Sequence, residues 1–461
     1  MGKGVHCPVL VPWENPWFAV TERLELLCTG VRCCSWLVVN ASLGNWLTKP
    51  CIRLGLLVRT AGATIDHVTP LPTHFLILAA LGGGFSAAQA APFVPQSDSQ
   101  VLERVPARHT EPAAREMQAL RQAWRAQPQN LEAATALAWR YQAEVAATGE
   151  PRYVGYIQAA LQPWWTQPEP PPEVRVLRAV VLQFDHQFAP ALLDLAAVLK
   201  TQPEHPQALA WQLAIQMVQA DYPAAKVSCE RLARMTSAVV AAGCTAQVQA
   251  MTGQALAAAR TLRAALNQPA GVDASERLWS LTRLAEIEAH RGDAAAAQAA
   301  FEQALALGQE DVYLQAAYAD FLLDQGRAVD VVTRLKDRSR ADVLLLRLAL
   351  ATKLAGDPRA AEASRELQAR FDAARLRGDN SHRKEESRYA LAVQGDVQRA
   401  LKLARENWAE QREAADARTL LEAALAARDR AAALPVLQWL SDSGFESALL
   451  KPLVDRLRAL P

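Results

Sequence analysis

The sequence predicts an all-α fold, a right-handed α-solenoid of about nine helical hairpins. From residue 111 onward the chain is rich in Ala, Leu, Arg, Glu and Gln, which favour helices. The apolar–polar alternation typical of strands is absent from the sequence. Glycines suited to helix–helix turns recur 30 to 39 residues apart, at Gly253, Gly292, Gly326, Gly356 and Gly395. Because each hairpin exposes an apolar face until its neighbour covers it, we expect one continuous superhelix.

The hairpin from Leu278 to about Gln309 carries the most complete copy of the repeat, with its turn at Gly292-Asp293. Small residues let paired helices approach closely, and large residues fill the gaps between them. The positions that follow this rule are Leu281, Leu284, Ala285, Ala297, Phe301, Ala304 and Leu305. The pattern resembles a tetratricopeptide repeat (TPR), which implies a binding scaffold more often than an active site.

Prolines and turn residues divide the remaining chain into helical pairs. Pro128 ends the first helix, and Pro203 ends the helix that begins at residue 189. The predicted helices before the Gly292 hairpin are 111–126, 131–146, 153–164, 173–183, 189–200, 206–219, 223–235, 239–251 and 254–266. The later hairpins centre on Gly326, Gly356, Gly395 and Asp429, and 448–460 forms a terminal cap. Pro435 falls in the first two turns of its helix, which predicts a kinked or late-starting helix.

An apolar run at 75–81 is followed by three glycines and by Ala88-Gln89-Ala90. This order is typical of a signal peptide, and we predict cleavage between Ala90 and Ala91. The run is shorter than the roughly 20 apolar residues that a membrane-spanning helix needs. Residues 82–92 contain no cysteine for a lipid anchor. We therefore predict a periplasmic protein that is soluble and has no stable membrane span after cleavage, or, alternatively, an uncleaved anchor at 75–90.

Residues 1–70 show neither helical nor strand periodicity, yet they hold five of the seven cysteines and four of the twelve tryptophans. We interpret them as a disordered, mistranslated upstream segment, with the true start near Val58, Val68 or Leu71. The predicted organisation is then a signal peptide at 71–90, an extended leader at 91–110 and the solenoid at 111–461. The alternative is a real N-terminal domain with zinc on four cysteines, whose spacings match no paired C-x2-C pattern. Those cysteines are Cys28, Cys33, Cys34 and Cys51.

Cys229 and Cys244 are the cysteines of the predicted exported part. They lie about equally far from the predicted turn at 235–238, on consecutive antiparallel helices that pack about 8–10 Å apart. A disulfide is therefore plausible in an oxidising periplasm. The alternative is a pair of small buried apolar residues. The chain has no C-x-x-C, which argues against a redox role.

The segment 376–388 (LRGDNSHRKEESR) holds the densest polar chemistry of the chain. Its carboxylates and histidine suggest acid–base work, a polar binding patch, or a solvated face with ion pairs such as Glu385–Arg388. Glu385 and Glu386 are adjacent and point about 100° apart on a helix, so they make a poor catalytic pair. No Ser–His–Asp order, H-E-x-x-H or phosphate-binding glycine loop occurs. We predict no catalytic residue, no metal site and no cofactor.

Several blocks together resemble a family of exported TPR proteins from proteobacteria whose role is uncharacterised. The blocks lie at 101–106, 151–165, 313–327, 382–388 and 407–422, and Ala414 stands where that family suggests proline. The resemblance implies a scaffold rather than a reaction.

We therefore predict a periplasmic scaffold that binds a protein or peptide partner in its concave groove. The alternative is a cell-wall or exopolysaccharide accessory protein or enzyme, which would need paired carboxylates in a deep cleft. The net charge of +1, without blocks of like charge, predicts no nucleic-acid partner. The residues predicted to bind the partner are Arg383, Glu386, Asn407, Trp408, Gln411 and Asp416.

Overall fold

The computed structural model describes residues 112–268, 272–379 and 382–460. The predictions for 1–70, for the signal peptide with its Ala90–Ala91 cleavage site and for the leader at 91–110 lie outside the described residues. The structure therefore does not test these predictions.

The described residues form an all-α solenoid, which confirms the predicted fold class, and these ranges contain no strand. The helix α17 continues into a π-helical turn at Ala390–Gln394. No described helix is long and apolar enough to cross a membrane. The helices are α1 (Pro112–Ala126), α2 (Leu131–Thr148), α3 (Arg152–Ala160), α4 (Gln162–Trp165), α5 (Pro172–Phe184), α6 (Phe188–Thr201), α7 (Pro206–Val218), α8 (Tyr222–Leu232), α9 (Ala238–Met251), α10 (Ala255–Leu266), α11 (Ala274–Arg291), α12 (Ala294–Ala306), α13 (Val312–Asp324), α14 (Ala328–Leu335), α15 (Asp342–Ala355), α16 (Ala360–Leu376), α17 (Arg383–Tyr389), α18 (Val397–Glu410), α19 (Ala414–Ala426), α20 (Arg430–Ser443) and α21 (Lys451–Arg458).

Most helices pack on a neighbour in sequence, and the odd-numbered helices from α9 to α19 also contact one another in succession. We call these alternate helices the odd-helix layer. A continuous apolar core runs through it from Val239 to Tyr389. The layer is what the hairpin pattern requires, because every hairpin buries its apolar face against the following one.

Two proline-containing helices differ from their sequence-based bounds. The predicted helix 153–164 breaks at Leu161, because Pro163 has no N–H to donate and its ring crowds the preceding turn. Pro435, in contrast, lies inside α20, which begins at Arg430 because the Asp429 side chain accepts from the amide of Ala432. The late start suggested by Pro435 is therefore wrong.

The hairpin turns share one backbone device, a residue with positive φ just after the first helix. Gly292 has φ +82° and Gly253 has φ +77°, and a Cβ at Gly253 would lie 3.0 Å from the carbonyl oxygen of Gly444, which is closer than ordinary van der Waals contact. His186, Ala220 and Arg428 adopt the same left-handed conformation without being glycine. This explains why a search for turn glycines alone misses these three turns.

The C-terminal helices fold back onto the turns of earlier hairpins, along what we call the turn edge (the turns near residues 186, 220, 253 and 292). The amide of Arg412 donates to the carbonyl of Val218 at 2.8 Å. The amide of Ala448 donates to the carbonyl of His290 at 2.7 Å. These contacts join segments more than 150 residues apart, so the solenoid is not an open arc at this edge.

Two carboxylates of α13 form ion pairs with the later helices of the odd-helix layer. Asp320 accepts from Arg347 of α15 and, at 2.8 Å, from Arg388 of α17. One helical turn further on, Asp324 accepts from Arg418 of α19 at 2.8 Å. Burial raises the pKa of Asp320, but the two arginines lower it more, so the net pKa lies below its ordinary value. Four successive helices of the layer thus meet at two carboxylates.

Replacing Asp320 by Asn should leave Arg347, which is 1% exposed, without its counter-charge. We expect a loss of about 3 kcal/mol in the free energy of unfolding, because an uncompensated buried charge is costly. Urea unfolding followed by circular dichroism measures this loss. Asp330→Asn is the matched control, because Asp330 pairs with Arg327 at the exposed surface and should change stability by less than about 0.5 kcal/mol. Equal losses in the two variants would contradict the role given to Asp320.

Candidate functional site

The six residues predicted to bind a partner lie close together, on α17, α18 and the start of α19, and several of them bind one another. Asn407 donates to Asp416 Oδ1 at 2.9 Å, and Lys384 Nζ lies 3.6 Å from the same oxygen. The other carboxylate oxygen of Asp416 accepts from the amide of Glu413 at 2.9 Å, which caps α19. Asp416 therefore holds three helices together from a buried position.

Glu386, Arg383 and Gln411 also have internal partners. Glu386 is buried and pairs with Arg375 and Arg399. Arg383 pairs with Glu410 at 2.6 Å. The amide of Gln411 lies 3.3 Å from the imidazole Nε2 of His186, on the turn edge. Whether any of these residues also meets a partner molecule stays a prediction.

The polar segment around α17 is covered rather than solvated. Lys384, Glu385 and Glu386 are all buried, so the alternative of a solvated ion-paired face is wrong for them. The reason is tertiary: α17 belongs to the odd-helix layer, and α18 and α19 pack over it. Burial also lowers the pKa of His186 to about 3, with Lys384 adding to the effect, so this imidazole is neutral at neutral pH.

Trp408 differs from the other five residues because it lines an open cleft with a volume of about 800 Å³. The cleft, called here the Trp408 cleft, lies between the start of α8, the end of α18, α19 and α20. Its apolar and aromatic lining residues are Ala220, Tyr222, Pro223, Trp408, Ala409, Leu420, Ala431, Ala432, Pro435 and Trp439, and its polar ones are Arg405, Arg412, Gln438, Asp442 and Ser443.

Aromatic rings form a fixed wall of the Trp408 cleft. The Trp408 and Trp439 rings pack edge to face with centroids 5.4 Å apart. The indole N–H of Trp439 donates to the hydroxyl of Tyr222 at 3.1 Å, across 217 residues of chain. Trp408, Trp439 and Tyr222 are all buried, so these rings form a rigid apolar backing beneath the cleft.

Arg405 and Arg412 stand exposed beside these rings. Neither guanidinium makes an ion pair among the residues that the structure describes, whereas most other arginines near them are paired. Arg405 and Trp408 lie three residues apart on one face of α18, whereas Arg412 follows the end of that helix at Glu410. The spacing of Arg405 and Trp408 is the sequence signal for this part of the site, and the six residues predicted to bind a partner include neither arginine.

Cys229 and Cys244 are brought together on α8 and α9. The structure joins them by a disulfide, with S–S 2.05 Å and Cα–Cα 5.8 Å. Both side chains are buried, and Cys229 Sγ lies 3.7 Å from the hydroxyl of Thr245. Across the described ranges, no group of three or more His, Cys, Asp or Glu side chains is arranged to hold a metal ion.

Neither a protein-family model nor a curated protein matches this sequence. Solved structures similar to it include the human IFIT1 dimer with m7Gppp-AAAA, at TM-score 0.41 and 14% identity, over 76% of this chain and 86% of that chain. The TPR domain of P58(IPK) is similar at TM-score 0.20 and 15% identity, over 72% of this chain and 94% of that one. The structure of Naa15/Naa10 bound to HypK-THB is similar at TM-score 0.25 and 16% identity, over 77% of this chain and 62% of that chain. These scores support no inference about function.

The disulfide should contribute about 3 kcal/mol, because it closes a loop across a sequence separation of 15 residues. We expect the Cys229→Ala/Cys244→Ala variant to unfold at lower urea concentration than the oxidised chain, and at the same concentration as the reduced chain. Thiol titration in denaturant should find two more thiols after reduction. Equal thiol counts with and without reductant would contradict the bond.

Proposed function

We propose that this chain is a periplasmic, non-catalytic scaffold that binds an acidic peptide segment of a partner protein in the Trp408 cleft. The observation that carries the proposal is the pair Arg405 and Arg412, exposed and without ion pairs in the described structure, beside the packed rings of Trp408 and Trp439. Tryptophan and arginine are the residues that most often dominate binding energy at protein interfaces.

Charge and shape both favour such a ligand. Two cationic side chains over an aromatic wall complement a segment that carries an acidic and an apolar side chain. The volume of about 800 Å³ falls within the range of ligand sites. The proposed binding site is thereby restricted from the whole concave groove to the Trp408 cleft. In this cleft Trp408 contacts the peptide, while Asn407 and Asp416 hold α18 and α19 in place behind it.

Arg405→Glu/Arg412→Glu should remove partner binding, because it reverses both charges at the rim without touching the buried rings. The test uses the full chain, tagged and expressed in its own host, with partners recovered from the cell envelope and quantified by mass spectrometry. We expect the recovered partner to fall about tenfold or more, and binding to weaken as salt is raised.

Lys402→Glu is the matched control, since Lys402 is exposed on the same helix but does not line the cleft. Partner recovery by this variant should equal that of the wild type. Nuclease treatment tests the prediction that no nucleic acid is involved. Binding that disappears with nuclease, or that resides in isolated cell wall and ignores the two arginines, would contradict the proposal and favour an RNA or polysaccharide role.

Two features support a periplasmic location. One is the predicted signal peptide, and the other is the disulfide, because disulfides persist best in an oxidising compartment. We expect the native protein, purified from the periplasm, to begin at Ala91 in N-terminal sequencing. Recovery of any peptide from residues 1–57 would contradict the interpretation that residues 1–70 are a mistranslated segment. A chain found in the cytoplasm would contradict export.

A further inference from the structure

A second cavity lies where the C-terminal return meets the odd-helix layer. It has a volume of about 130 Å³ and lies between α7, α9, α11, α13 and the segments that precede α19 and α21. We call it the Arg283 cavity, and its lining includes Met251, Ile287, Phe445, Arg283, Glu286 and Glu413. Glu446, which is exposed, lies at its edge, so the cavity reaches solvent there.

Arg283 lines this cavity, and one edge of its guanidinium is buried and unsatisfied. The residue is only 7% exposed, its Nη1 lies 3.1 Å from Glu286, and its guanidinium stacks 4.4 Å from the centre of the Tyr313 ring. Nε and Nη2, however, have no hydrogen-bond partner within the described part of the chain. A buried donor without a partner costs about 1–3 kcal/mol, and more when it is charged.

The two unsatisfied nitrogens are adjacent on the planar guanidinium. Their N–H bonds point in parallel, which is the side-on geometry that binds both oxygens of one carboxylate. Burial lowers the pKa of Arg283, but Glu286 and Tyr313 raise it more, so the group stays charged. The cavity is therefore equipped for a carboxylate at this edge.

Glu286 and Glu413 indicate which second charged group a ligand of this cavity needs besides its carboxylate. With Glu446 they place three carboxylates in the cavity lining against one arginine, so an anion alone would meet net negative charge. A ligand with an ammonium group next to its carboxylate satisfies both signs. The remaining lining, including Met251, Ile287 and Phe445, suits a small apolar side chain.

We propose that the Arg283 cavity binds a free α-amino acid with an apolar side chain. The carboxylate lies on Nε and Nη2 of Arg283, and the ammonium group faces Glu286 and Glu413. This inference is independent of the Trp408 cleft. Because Glu413 and Phe445 come from the C-terminal return while Arg283 comes from α11, the ligand would also join these two parts of the chain.

Isothermal titration of the full-length wild-type chain with L-alanine, L-valine, L-leucine and L-methionine tests the proposal. At least one of them should bind more tightly than about 1 mM. For the amino acid that binds, its amide lacks the carboxylate and its deaminated acid lacks the ammonium group, so both analogues should lose binding about tenfold or more. These experiments need no variant and therefore do not depend on how a mutant folds.

Arg283→Lys keeps the positive charge but loses the parallel edge, and should weaken binding about tenfold or more. The matched control is Arg334→Lys, because Arg334 also stacks on a tyrosine, at 4.9 Å from the Tyr318 ring, but does not line the cavity. Its affinity should match the wild type. No binding by any of the four amino acids, or equal binding of the deaminated acid, would overturn the proposal.

Discussion

Charge burial in the odd-helix layer is the constraint on which the rest of the structure depends. Arg347 is almost completely buried, and it is tolerated because each of its three guanidinium nitrogens donates to an acceptor, namely Asp320 or the backbone carbonyls of Ala316 and Val343. The same carboxylate binds Arg388, and Asp324 one turn later binds Arg418. A helix of the layer cannot shift alone, because a shift would leave a charge buried without its partner.

The return of the C-terminal helices onto the turn edge depends on close backbone approach. Gly253 and Gly444 meet without side chains, and the amide of Ala448 reaches the carbonyl of His290. This return creates both cavities described above. The Trp408 cleft lies between α8 and the last hairpins, and the Arg283 cavity lies between α11 and the segments before α19 and α21. An open solenoid would contain neither of them.

Local patterns predicted the helices well, since helical period, proline stops and turn glycines act within a few residues. They placed the turns at Ala220 and Arg428 although neither residue is a glycine, and they failed at Leu161, where Pro163 breaks a helix. For the candidate site, the density of polar residues did not reveal which of their side chains are buried. Glu386 and Asp416 do not face solvent. Both are buried, and their carboxylates pair with an arginine and a lysine inside the structure.

The sequence alone determined an all-α chain of stacked hairpins, because apolar periodicity and breakers are local properties that the backbone must obey. It also singled out Trp408 and the Cys229–Cys244 pair. Only the tertiary structure decided which polar side chains are buried and which surfaces stay open. That choice follows from packing α18–α21 against turns that are more than 100 residues away in sequence, and no local pattern encodes so distant a contact.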